Sequence, residues 1–176
     1  MAFVVETGEG IEGANSFATV AEADTYHADR DNAAWAVLGT PKKQAALING
    51  TDILVSRYGK RFTGIPVLAD QSLPFPRSYY DPATGGWVVT FSVPAAVKAA
   101  VIELALTASS RSLINRAGPS TQGALIEKTT GPLTKKWAAP GADQIANDPL
   151  FTYLDGALSG LLTSVGFVGQ MYADRA

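Results

Sequence analysis

The chain is 176 residues long, a length that argues for one domain at the usual ~100–200 residues apiece. Hydrophobic residues make up 47% and charged residues 17%, against roughly a quarter charged in average soluble proteins, so wholesale disorder is excluded. A net charge of -2 speaks against a dedicated duplex-DNA binder, whose affinity comes from neutralising phosphates, and the absence of cysteine excludes disulfides, thiolate nucleophiles and Cys-ligated metals.

In chain order, Phe3-Val4-Val5-Glu6 reads as a short strand, followed by a loop punctuated by Gly8, Gly10 and Gly13. Thr19 and Glu22 stand in capping-box spacing and predict a helix from Val20 to about Arg30. A short turn carrying Trp35 and Leu38 follows. Thr40-Pro41, an N-cap residue and then a proline, predicts a second helix to about Tyr58 with Leu47, Thr51, Leu54 and Tyr58 on one face. Asn49-Gly50 inside it is also a hairpin signature, but Ala45-Ala46 is poor strand material and the helix is preferred. Residues 59–92 are rich in Gly and Pro and read as a long irregular loop, containing a turn at 81–86 and a short strand Trp87–Phe91. A loop of this length is more often a functional surface than an accident.

The strongest periodicity predicts a central buried helix from Pro94 to about Ile114. Val97, Val101, Leu104 and Ala108 form one stripe, and Ile102, Leu106 and Leu113 a second. Ala124–Thr130 and Leu133–Trp137, flanking Gly131-Pro132, suggest a two-stranded ribbon, which is marginal in water without the body of the domain or a neighbouring subunit. Asp148-Pro149 opens a last helix to about Ser164, with Leu150, Leu154, Leu158, Leu161 and Leu162 as its apolar face. The fold class is therefore mainly α: a bundle of about four helices, an irregular loop with short β elements, and a β-ribbon. Residues 1–164 form the domain and 165–176 an apolar, glycine-interrupted arm. No apolar run approaches the ~20 residues of a membrane span, and MAFVVETGEG lacks the cationic start of a secretory signal.

A catalytic constellation is not legible. Asp24 lies three residues before His27, the single histidine, in the spacing of an acid that orients an imidazole, but a partly exposed helix histidine near a carboxylate is the preferred reading. Gly8-x-Gly10-x-x-Gly13 has the glycine spacing of a phosphate loop. Yet Ala14-Asn15-Ser16 does not open a helix, and Glu9 and Glu12 would repel a pyrophosphate. No enzyme activity, metal or cofactor is expected. Cations alternate with aromatics in Arg57-Tyr58-Gly59-Lys60-Arg61-Phe62 and Pro76-Arg77-Ser78-Tyr79-Tyr80, the composition of a single-strand DNA site. Lys128, Lys135 and Lys136 on the ribbon form a third small basic group, suited to DNA or to an acidic protein partner.

Five stretches carry a resemblance through their order and spacing. They are Gly13-Ala14-Asn15-Ser16-Phe17 with Val20–His27; Trp35; Ala46-Leu47-Ile48 with Thr51, Asp52 and Leu54; Leu73-Pro74-Phe75-Pro76-Arg77-Ser78; and Val93–Ala100 with Glu103–Leu106. Over about residues 10–110 the chain resembles the head–tail adaptor (connector, or head-completion) proteins of tailed bacteriophages. A related group carries the label of DnaT-like single-strand DNA-binding proteins. The resemblance implies a mostly helical virion protein at the head–tail junction. Such a protein forms a ring, commonly dodecameric, beneath the portal protein, extends the DNA channel without sequence-specific binding, and joins the capsid to the next neck or tail component. It implies a portal-docking role for the carboxy-terminal arm, with Phe167, Val168, Met171 and Tyr172 as candidates. It further implies intersubunit or next-ring contacts through loop 59–92 and the ribbon, with Arg77, Tyr79, Tyr80, Lys128, Lys135, Lys136 and Trp137 as candidates. The alternative is a single-stranded DNA-binding module.

Overall fold

The structure, a computed structural model, describes residues 2–111, 113, 125–129, 134–137 and 149–163. The fold is mainly α with short β elements. Helix α1 (Val20–Ala28) begins at the expected capping box: Glu22 N–H donates to Thr19 Oγ1 (3.1 Å) and Thr19 N–H to Glu22 Oε2 (2.8 Å). The other carboxylate oxygen of Glu22 accepts from Lys98 Nζ at 2.6 Å, so the cap also ties α1 to the central helix. Trp35 sits in a one-turn helix, α2 (Ala33–Ala36), and is buried.

Helix α3 (Thr40–Tyr58) ends where the periodicity places its end, and Leu47, Thr51, Leu54 and Tyr58 are all buried. Its N-cap is Gly39, which sets Thr40 inside the first turn beside Pro41. Asn49-Gly50 does not make a hairpin. Gly50 lies where α3 crosses α4 (Ala95–Ser110): a Cβ there would stand 2.8 Å from the Val101 carbonyl oxygen and 3.0 Å from the Ala105 nitrogen. The glycine that weakens local helix propensity is what lets the two longest helices touch backbone to backbone. Helix α4 is the centre of the core, with Val97, Ala100, Val101, Ile102, Leu104 and Ala105 buried. It stops at Ser110, short of the expected Ile114.

Residues 59–92 are more regular than their composition suggests. They hold β1 (Ile65–Pro66), β2 (Arg77–Asp81) and β3 (Gly86–Thr90) in an antiparallel sheet of that order. The hairpin register runs from Arg77 opposite Thr90 to Asp81 opposite Gly86, and Ile65 stands opposite Ser78. By contrast, the strand expected at Phe3–Glu6 reduces to one bridge between Val5 and Ser16. The reason lies in Glu6: its buried carboxylate accepts from the N–H groups of Gly8 (2.7 Å), Gly10 (2.9 Å) and Ile11 (2.7 Å) and curls the chain around itself.

The ribbon is present as β4 (Leu125–Thr129) paired antiparallel with β5 (Thr134–Trp137), with an irregularity between Leu125 and Glu127. Helix α5 (Pro149–Leu158) follows, shorter than expected because its last turn tightens into a 3-10 segment, Ser159–Leu161. Phe151, Leu154 and Leu158 enter the core. The chain beyond is then fastened to the end of α3: Thr63 N–H donates to the Leu161 carbonyl (2.9 Å), Thr163 N–H to the Arg61 carbonyl (2.7 Å), and Phe62 bridges to Leu162. No described helix is long and apolar enough to cross a membrane.

Candidate interaction surface

Strand alternation sorts the β2–β3 hairpin into two faces. Arg77 belongs to the inner one and is 7% exposed. Its guanidinium donates to the backbone carbonyls of Phe62 (3.0 Å), Thr63 (2.9 Å), Pro74 (3.0 Å) and Gly64. One planar fork thus gathers the turn before β1 and the turn before β2, a geometry that a lysine lacks the donors to copy. Burial lowers the Arg77 pKa from its ordinary value.

The opposite face is turned to solvent. Ile65, Ser78 and Val89 line up across the three strands, with Tyr80 and Trp87 in the next row and Phe91 just past the end of β3. Ile65, Tyr80, Trp87, Val89 and Phe91 are 46–67% exposed. At roughly 150–250 Å² of surface per aromatic side chain, three rings more than half exposed present on the order of 300 Å² of contiguous apolar surface. An area of that size is comparable to the largest apolar patch of an ordinary monomer, a patch that is often functional.

The charge around this face is as informative as its rings. Between Phe62 and Val97 the sequence has a single cation, Arg77, and two acids, Asp70 and Asp81. The guanidinium of that cation is occupied inside the fold. The exposed rings therefore have no cation from their own segment beside them.

The expected contact residues separate on this frame. Tyr80 is on the open face and Tyr79 is exposed on the other side of the strand. Arg77 is interior, holding the surface rather than lining it. Lys128, Lys135, Lys136 and Trp137 lie on the ribbon, with Lys128 opposite Lys135 and Leu125 opposite Trp137. Phe167, Val168, Met171 and Tyr172 lie outside the described residues. Trp87, Val89, Phe91 and Ile65 were not singled out as contact residues from sequence. The apolar side chains at 87, 89 and 91 alternate as a strand requires, which is the signal that could have found them.

A shallow pocket of about 440 Å³ lies elsewhere, lined by Asp24, His27, Asn32, Trp35 and Lys43 among others. It does not assemble the Asp24–His27 pair. Asp24 Oδ1 accepts from Trp35 Nε1 (2.7 Å) and Lys43 Nζ (2.8 Å), whereas His27 Nδ1 lies 3.1 Å from the Asn32 side-chain amide. Burial works to raise the Asp24 carboxyl, but the hydrogen bonds from Lys43 and Trp35 outweigh it and the pKa is lowered. Burial pulls His27 below its ordinary value, against the nearby carboxylates of Glu103 and Asp24. The ring is buried, not partly exposed, and packs against Trp35 with centroids 4.8 Å apart, as an interior aromatic does. The glycine-spaced loop at 8–13 is filled by the Glu6 carboxylate, which occupies the place an anionic ligand would take. Among the described residues no group of His, Asp and Glu is arranged to hold a metal ion.

The family model described as "Putative DnaT-like ssDNA binding protein" matches residues 1–176. Comparison with curated proteins and with solved structures gives no match.

Proposed function

The chain belongs to this DnaT-like family, and we propose that it works as a structural docking protein, the head–tail adaptor of a tailed bacteriophage. In this reading, copies of the chain form a ring beneath the portal protein in the virion. The ring lengthens the DNA channel and offers a surface to the next neck or tail component, with no catalysis and no bound cofactor. The observation that carries it is the open face of Ile65, Tyr80, Trp87, Val89 and Phe91 with no free cation from its own segment. Interface centres are depleted in charge and enriched in aromatic residues. A strand of DNA, by contrast, needs cations tracking its phosphates as well as rings under its bases. The net charge of -2 supports the same reading, since a weakly acidic wall lets DNA pass where a basic one holds it by counterion release.

A second reading, a single-strand DNA-binding module, is favoured by the family description and by the three exposed rings, which are a stacking platform in themselves. Fluorescence anisotropy of a labelled oligothymidine against the full-length protein, in low and physiological salt, separates the two. The adaptor reading expects no saturable binding at physiological salt. Tight binding that weakens steeply with salt overturns it in favour of the second reading.

A further inference from the structure

The sheet β1–β2–β3 has two edges, and they are unlike. β1 is two residues long and ends on Pro66, which has no N–H to offer, so it resists extension. β3 is Gly86-Trp87-Val88-Val89-Thr90, and among the described residues it pairs with β2 alone. Exposed edges are ordinarily blunted by lysine, proline or a bulge. β3 contains no charge and no proline, and its register with β2 runs without a break. It is covered at one end only. Gly8, at φ +110°, approaches so closely that a Cβ would stand 2.7 Å from the Phe91 carbonyl oxygen. The amino-terminal loop therefore closes the edge at Phe91–Ser92 and leaves 86–90 open.

The same chain carries a unit with the opposite need. β4 and β5 pair with each other, and no other described element packs substantially against either. Two strands by themselves are marginal in water, so the ribbon wants a third. The charges match as well. Residues 125–137 hold three lysines against one glutamate, whereas β3 itself carries no charge and Asp81 stands opposite its first residue, Gly86.

We infer that the open edge of β3 accepts the β4–β5 ribbon of a second copy of this chain, extending the sheet from three strands to five by main-chain hydrogen bonds. The inference rests on the self-assembling reading proposed above and gives it a surface. The contact is heterologous, because one copy supplies the edge and the other the ribbon. Each pairing leaves one unused edge and one unused ribbon, so it repeats from head to tail and closes when the rotation per step divides a full turn. The exposed ring of Trp87, on β3, then lies beside the joint, with Tyr80 one strand behind it.

The natural absence of cysteine makes the test clean. Full-length Val88→Cys and Val89→Cys proteins are each mixed with Glu127→Cys or Lys136→Cys protein, oxidised, and read by non-reducing electrophoresis and mass spectrometry, after circular dichroism has checked that each is folded. The expected result is a mixed β3–ribbon cross-link that exceeds either homopair. In parallel, Val89→Lys, a charge placed at an exposed position of the edge, weakens self-association at least tenfold in sedimentation. Cross-linking confined to β3–β3 homopairs, or assembly unchanged in Val89→Lys, overturns the inference. A wild-type oligomer that gives no mixed cross-link overturns it while leaving the adaptor reading standing. A chain that stays monomeric at every concentration and binds oligothymidine tightly overturns both.

Discussion

The Tyr80 and Trp87 rings meet edge to face across the β2–β3 hairpin, with centroids 6.2 Å apart, on the side of the sheet open to solvent. A cross-strand aromatic pair of this kind contributes about 0.2–1 kcal/mol to the hairpin. The same two side chains, buried at an interface, are of the type that carries several times that amount in association. This contrast makes the pair a probe for a contact surface.

Replacing Tyr80 and Trp87 together by alanine is expected to lower unfolding free energy by no more than about 1 kcal/mol. In the adaptor reading, self-association is expected to fall by at least tenfold, about 1.4 kcal/mol or more. Urea denaturation measures the first and sedimentation velocity the second. A large stability loss with unchanged association would show the rings to be fold determinants instead.

Gly50→Ala tests the crossing of α3 and α4. Helix propensity alone predicts a gain of about 1 kcal/mol. The added Cβ, 2.8 Å from the Val101 carbonyl oxygen, meets backbone that has no flexible end to yield. The expected net outcome is a loss of about 1–3 kcal/mol by overpacking, read as a lower urea midpoint with an unchanged slope.

Arg77→Lys keeps the charge and removes the fork. Lysine has three donors on one nitrogen and cannot span carbonyls at Phe62, Thr63, Gly64 and Pro74 together; leaving the buried Phe62 carbonyl unpaired costs about 1–3 kcal/mol, and the three part-buried carbonyls less. The variant is expected to unfold earlier on heating by several degrees. In the adaptor reading any residual oligonucleotide affinity is unchanged, since the guanidinium does not face solvent. A loss of binding at unaltered stability would place Arg77 on a nucleic-acid surface.

His27 governs a pH dependence with a definite sign. Its folded pKa is below the ordinary 6.5, so the unfolded chain binds the proton more tightly. The stability contributed by the neutral ring is fully present above pH 6.5 and is lost as pH falls through the folded pKa. Glu22 and Asp24, also lowered, add losses only near and below their ordinary values of 4.5 and 3.8. Urea midpoints between pH 7.5 and 5, about a unit to either side of the histidine value, should therefore fall in the wild type and stay flatter in His27→Gln. Equal slopes in the two proteins would mean that the ring does not titrate differently on unfolding.

The helices were legible because their signals are local. Thr19 and Glu22 carry a complete cap within four residues, and the stripe Leu47, Thr51, Leu54 and Tyr58 repeats inside one element. Gly50 misleads in isolation because its reason, the backbone of Val101 and Ala105, lies fifty residues away. β2 was not legible for the same cause. Arg-Ser-Tyr-Tyr-Asp has no apolar alternation, and it becomes a strand by pairing with 86–90 and through the carbonyls that Arg77 collects from distant turns. Reading Arg77 as part of a basic surface counted its charge correctly and could not see where the charge was used. The open apolar face was present in the sequence as Trp87, Val89 and Phe91. Only the register with Tyr80 and Ile65 shows that they form one surface.

The fastening of the last described residues has a mechanical consequence. The hydrogen bonds from Thr63 N–H to the Leu161 carbonyl and from Thr163 N–H to the Arg61 carbonyl join the end of the last described turn to the segment leading into β1. A tug at Thr163 is therefore shared between the backbone that runs back into α5 and Arg61–Thr63, and through the latter it reaches the carbonyls clasped by Arg77. Part of a force applied at Thr163 is thus passed to the sheet, not to the helix alone.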